Sequence, residues 1–232
     1  MKVAALTNTP LDPALGSGKT VLNWSQGLRD LGHLVTVFPP DSFYQPFPRG
    51  KGRTIKIRLD AIGLLRTLVD GGFDIIEFYG AEFGGLIDRL ALFPRVNRPL
   101  LVSHTNGLEL LAQTVPTQEH DSSLHSAIRY NFSKPLRSII RRMDYNAFAK
   151  TDCFVAICNA DTNYIVQNNI QSVQRCATIE PGLDQEYLVA DWEQTKKPWI
   201  LSLGTWTARK DPETTVYVVS KLLNNDSRLE IG

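Results

Sequence analysis

Gly16, Gly18, Lys19 and Thr20 are the first residues whose types and spacing could do chemistry, standing in the stretch Leu15-Gly16-Ser17-Gly18-Lys19-Thr20. An apolar run, Lys2-Val3-Ala4-Ala5-Leu6-Thr7, precedes them as a first strand. A helical pattern follows, with Val21, Trp24, Leu28 and Leu31 on one face and Gly32 where the helix should stop. A glycine pair at such a turn lets backbone approach a ligand, and the free N–H groups of the helix start point at it. The geometry is that of an anion site. A second candidate is His104, delivered at the carboxyl end of the strand-like run Leu100-Leu101-Val102-Ser103.

Two nucleotide motifs can be compared with the glycine stretch directly. A P-loop needs glycine six residues before its lysine, and that position is Pro13. A dinucleotide fingerprint needs a third glycine where Val21 stands, and an acidic residue closing the second strand where Phe38-Pro39-Pro40 stands. Val21 and Phe38 likewise disfavour a dinucleotide-dependent oxidoreductase. Two readings stay open: a tight turn without a ligand, and a phosphate or sugar contact in another fold.

The elements that must position these residues alternate along the chain. Leu34 to Phe38 reads as a second strand, Asp41 to Arg53 as a long loop, Thr54 to Leu59 as a short strand and Ala61 to Val69 as a helix. Phe73 to Phe78 is a strand, Gly84 to Leu92 a helix, and Gln113 to Ser123 a polar loop of the length that usually has a function. Ser133-Lys134-Pro135 opens a helix with Leu136, Ile139, Ile140, Met143 and Ala147 on one face and Lys134, Arg137 and Arg141 on the other. Basic amphipathic helices of this kind suit either solvent or a membrane surface. Cys153 to Ile157 is a further strand, Ala160 to Gln167 a helix, and Cys176 to Ile179 a last strand leading into Pro181-Gly182-Leu183-Asp184.

Strands and helices alternating in this way predict an α/β fold, a Rossmann-like doubly wound parallel sheet whose ligand crevice lies at the carboxyl ends of the strands. The glycine stretch and His104 both fall at that end. A polar linker over 191–198 separates this first domain, 1–190, from a strand at Trp199 to Leu203. A loop from Gly204 to Lys210 follows, then a helix capped by Asp211 with Val216, Val219 and Leu223 as its buried face. Arg228 to Ile231 begins another strand. A piece as short as 199–232 is below the size that usually folds alone: it must dock on the first domain, or the sequence is a fragment with an incomplete second Rossmann-like domain.

Composition narrows the class. The 232 residues carry net charge +1, which exerts no global pull on nucleic acid. Cys153, Cys158 and Cys176 are odd in number and lack C-x-x-C spacing, which argues against a disulfide framework and a zinc site and for small buried thiols. No run approaches the eighteen or so apolar residues of a membrane span, so a cytoplasmic protein is expected.

Taken in order, five features resemble family 4 glycosyltransferases of the GT-B fold. They are the glycine-rich first turn, Gly32-His33-Leu34-Val35-Thr36-Val37 in the manner of "GHxVTV", His104 after an apolar strand, Ile179 to Asp184 like "IPNGVD", and Leu203-Gly204 with Lys210 like "VGRxxxxKG". The likeness runs from Met1 to about Gly232.

It implies an acceptor-side domain followed by the beginning of a nucleotide-sugar domain. It also implies transfer of a sugar from a UDP- or GDP-linked donor to a saccharide or lipid-linked acceptor, with retention at the anomeric carbon and without a metal or other cofactor. On this resemblance His104 and Lys210 are catalytic, and Gly16, Gly18, Arg209 and Lys210 bind the donor diphosphate. Glu109 faces the acceptor. The family arginine beside the glycine is Thr205 here, with Arg209 as its substitute. The family's glutamate pair, eight positions apart, would lie beyond Gly232, so a longer or second chain is expected to supply it. The basic face of the Lys134 to Arg141 helix also allows peripheral contact with the inner membrane face. An alternative reading keeps the first domain as a non-catalytic module that binds an acceptor or partner.

Overall fold

A computed structural model describes residues 1–43, 52–105, 107, 138–182, 188–189 and 211–225. The chain divides into two compact units, Met1–Gly182 and Leu183–Gly232.

The first unit is built on β1 (Lys2–Thr7), β2 (Leu34–Phe38), β3 (Ile75–Tyr79), β4 (Leu100–His104), β5 (Cys153–Ala156) and β6 (Cys176–Thr178). They form one sheet in the order β2-β1-β3-β4-β5-β6. Every pairing is parallel. Parallel strands covered on both faces read as continuous apolar runs. That is why IIEFY and LLVSH read as strands, whereas LVTVF is the partly exposed edge strand of the sheet. The doubly wound parallel sheet expected from the alternation is therefore what the chain forms.

Successive side chains alternate between two cores. On one face Ala4, Leu6, Ile76, Phe78, Leu101, Phe154 and Ala156 pack against residues of five helices. Those helices are α2 (Gly52–Ile62), α3 (Leu65–Asp70), α4 (Gly84–Leu90), α5 (138–149) and α6 (Asn159–Gln167). Phe78, Phe83, Phe148 and Phe154 are fully buried there. Each such side chain contributes about 1.5 to 3 kcal/mol relative to leaving it in water. On the other face Ala5, Val21 and Tyr79 form a smaller cluster with Leu11, Trp24, Val35 and Val37, beneath α1 (Gly16–Asp30).

Several local expectations are corrected. Thr54 to Leu59 is not a strand but part of α2, in which Ile57, Arg58 and Ala61 are buried. Alternation over Ile55, Ile57 and Leu59 imitated a strand, yet Leu59 is 59% exposed. The helix expected over Ala61 to Val69 is two helices, interrupted at Gly63-Leu64. Leu31 ends α1 and is 75% exposed, while Ser25 takes a buried place on that helix. Gly32 follows with a φ of +85°, the left-handed conformation a helix stop requires. Ile139 is 58% exposed and so is not on the buried face of α5; Arg141 is exposed as expected. The three thiols are half-buried, not buried.

In the second unit α7 (Pro212–Asn225) begins where the Asp211 cap requires. The Thr214 N–H donates to Asp211 Oδ1 at 3.2 Å. Val216 is 52% exposed, so it does not lie on a buried face; Val219 and Leu223 are half-buried. The expected linker at 191–198, the strand at 199–203, the loop at 204–210 and the strand at 228–231 lie outside the described residues. Among the described residues no helix is long and apolar enough to cross a membrane.

Candidate functional site

The chain leaves β1 toward β2 on one side and returns to β3 on the other, so the topological switch point lies between β1 and β3. In open α/β sheets ligands bind outside the carboxyl ends of the strands at such a point. The glycine stretch, the end of β3 and His104 all belong to that end.

The two glycines turn out to differ. A Cβ on Gly18 would lie 2.4 Å from the Pro10 carbonyl oxygen and 2.7 Å from that of Asp12, so α1 packs here against its own approach loop. That loop is tied by the Ala14 N–H donating to Asp12 Oδ1 at 2.8 Å and the Leu15 N–H to the Asp12 carbonyl at 3.0 Å. Gly16 has open space where a Cβ would stand. Leu15 at the N-cap provides no side-chain cap, which leaves the N–H groups of the first turn for water or a ligand. The Thr20 hydroxyl donates back to the Gly16 carbonyl at 2.9 Å.

His104 sits at the carboxyl end of β4, 5% exposed. It pairs in register with Tyr79, and the two rings stack with centroids 4.3 Å apart and planes 13° apart. Trp24 meets the imidazole edge-on at 5.1 Å. Beneath them lies Glu77, buried on the same face of β3 as Tyr79. Trp24 Nε1 donates to Glu77 Oε1 at 3.2 Å, and the Tyr79 hydroxyl donates to Glu77 Oε2 at 3.2 Å. His104 Nε2 is 3.4 Å from Glu77 Oε1, within ion-pair range but off the line of a hydrogen bond. Burial, then the charge of Glu77 and the hydrogen bond to it, push the Tyr79 hydroxyl well above its ordinary pKa. It therefore stays protonated and donating.

An opening beside His104 is lined by Thr20, Trp24, Thr105, Val155, Ile179 and Pro181. Three sequence features thus meet: the end of the glycine stretch, the strand-end histidine and the start of the Ile179 to Asp184 segment. Gly16 and Gly18 stand at the start of α1. Glu109, Arg209 and Lys210 lie outside the described residues. Among the described residues no cluster of His, Cys, Asp or Glu could hold a metal ion.

Trp24, Glu77 and Tyr79 were not singled out as site residues from the sequence. Glu77 carried a usable signal, a carboxylate inside the apolar strand Ile75-Ile76-Glu77-Phe78-Tyr79, where burial is expensive without partners.

No protein-family model matches the chain, and no curated protein matches it. Among solved structures, sucrose-phosphate synthase from Thermosynechococcus elongatus superposes with a TM-score of 0.53 at 10% identity, covering 77% of this chain and 47% of that one. The two share a fold. The chain therefore spans about half the length of that synthase. A second structure of this synthase matches with a TM-score of 0.49 at 10% identity, over 81% of this chain and 93% of that one. The glycotransferase of kitacinnamycin matches with a TM-score of 0.40 at 14% identity, over 84% and 55%. At the 10% identity of the first of these, what is common is the Rossmann-like sheet and its helices.

Proposed function

We propose that the chain is the acceptor-side part of a glycosyltransferase that moves a sugar from a UDP- or GDP-linked donor to a saccharide or lipid-linked acceptor, with retention at the anomeric carbon. The observation that carries this reading is the meeting of Thr20, His104, Ile179 and Pro181 around one opening at the carboxyl end of the sheet. The sheet is of the kind found in sucrose-phosphate synthase, whose name describes formation of a sugar linkage.

The chemistry asks little covalent work of the protein. As the bond between sugar and diphosphate breaks, negative charge grows on the leaving oxygen. A fixed donor aimed at that charge is worth about 3 to 4 kcal/mol. In this reading Lys210 and Arg209 supply the positive charge, and the uncapped start of α1 at Gly16 adds backbone N–H groups. His104 stands beside the reacting sugar and Glu109 faces the acceptor. No metal is needed, because the cations and helix start carry the electrostatic task. Residues 1–190 serve as the acceptor side, 191–198 as linker, and 199–232 as part of the donor side. A lipid-linked acceptor would suit contact of the basic helix face around Arg141 with the inner membrane surface.

The test is a transfer assay with UDP- and GDP-sugars and a panel of saccharide and lipid-linked acceptors, using this chain alone and with a donor-side domain added. Release of nucleoside diphosphate together with an acceptor product of unchanged anomeric configuration is expected. Donor or acceptor binding by calorimetry without turnover in either format would favour the non-catalytic module instead. Binding of neither would remove both readings.

A further inference from the structure

Glu77 is a buried carboxylate whose two oxygens each accept a hydrogen bond from a neutral donor, Trp24 Nε1 and the Tyr79 hydroxyl. Among the described residues the imidazole of His104 stands beside it, its Nε2 at 3.4 Å from Oε1 and buried without a hydrogen-bond partner. An unprotonated nitrogen 3.4 Å from a carboxylate oxygen is repelled by it, whereas an N–H there is attracted even off the hydrogen-bond line. The stacked Tyr79 ring and the edge of Trp24 hold the imidazole plane beside Glu77.

We propose that Glu77 is a positioning residue that keeps His104 in its Nε2–H form and leaves Nδ1 as the nitrogen able to accept a hydrogen bond from a ligand hydroxyl. Which ring nitrogen carries the proton is set by the partners that the two nitrogens meet. Trp24 and Tyr79 serve the same end by fixing the carboxylate from both sides. A carboxylate kept only to tie α1 to β3 would have no effect on the tautomer. The functional consequence rests on His104 being the histidine of the proposed transfer site; the tautomer does not.

The experiment is long-range proton–nitrogen correlation NMR on the 15N-labelled chain at neutral pH, with the His104 signals assigned by their loss in His104→Gln. An Nε2–H pattern is expected in the parent chain. Glu77→Gln keeps a carbonyl acceptor and should keep that pattern. Glu77→Met removes the acceptor at similar volume and should lose it. Where the methionine variant does not fold, Glu77→Ala repeats the measurement. An Nδ1–H pattern in the parent chain, or an unchanged pattern in the methionine or alanine variant, overturns the proposal.

Transfer assays on the same variants separate the two readings. The expected tautomer change with no transfer by any variant removes the glycosyltransferase function alone. Transfer with an indifferent tautomer removes only the role of Glu77.

Discussion

Tyr79 and His104 face one another across the β3–β4 pair, and their rings stack at 4.3 Å while the Tyr79 hydroxyl reaches back two residues to Glu77. One side chain thus serves packing and polarity together. Replacing Tyr79 by Phe keeps the stack and removes one donor from a buried carboxylate, at an expected cost of about 1 to 3 kcal/mol. Tyr79→Ala also loses the ring and should cost about 3 to 5 kcal/mol. Urea unfolding of the three proteins checks the ordering, and equal midpoints for Phe and Ala would refute it.

The glycines of the first turn should respond oppositely to alanine. Gly18→Ala drives a methyl into the Pro10 and Asp12 carbonyls and should destabilise the chain by about 1 to 3 kcal/mol. Gly16→Ala meets no atom within 4 Å and lies at the first position of α1, so it should be neutral or stabilise by less than about 1 kcal/mol. If a ligand uses the space at Gly16, the alanine variant loses donor affinity in calorimetry at unchanged melting temperature.

A third glycine reports on helix contact. Gly84 opens α4, and a Cβ there would stand 2.0 Å from the Met143 carbonyl oxygen on α5. Gly84→Ala must push the two helices apart, with an expected loss of at least about 1 to 3 kcal/mol. Nearby, the buried pair of Arg58 and Asp144 joins α2 to α5. Hydrogen exchange should show the loosening first in α4 and α5; exchange confined to β2 would contradict it.

Acid should act through Asp152. Burial alone would raise its carboxyl. It is outweighed by the hydrogen bond from Arg98, the Leu101 N–H and the charges of Arg98 and Arg95, so the group is held below its usual value. A carboxylate depressed in the folded state contributes stability above its unfolded value of about 3.9 and loses it as pH falls through the folded value. Arg98→Met removes the main partner of a pair whose side chains are 9% and 8% exposed. It should cost about 3 kcal/mol at neutral pH and flatten the acid limb. Stability measured by tryptophan fluorescence between pH 7 and 2 reads both effects, and an unaltered acid limb would exclude Asp152 as its source.

Lys210→Ala, assayed with a complete donor and acceptor cleft, should lower turnover about a hundredfold or more, as loss of a donor to the leaving charge does. Unchanged turnover would take Lys210 out of the site.

By itself the sequence determined the class of fold and one end of the site. Buried parallel strands need unbroken apolar runs, so β1, β3 and β4 announced themselves, and a histidine directly after such a run had to stand at the carboxyl edge. Helix ends were equally local, as Gly32 and the Asp211 cap show.

What the tertiary structure decided depended on residues far apart in the chain. Residues 54–59 became helix because α2 packs Ile57 and Ala61 beside α4 and places Arg58 against Asp144, 86 positions away. Glu77 was legible as an oddity in an apolar strand, but its meaning required Trp24, 53 positions earlier on α1, and His104 on the neighbouring strand. Periodicity reports which side of an element is apolar; only the register between strands and the seat of a helix say which polar atoms are brought within reach of one another.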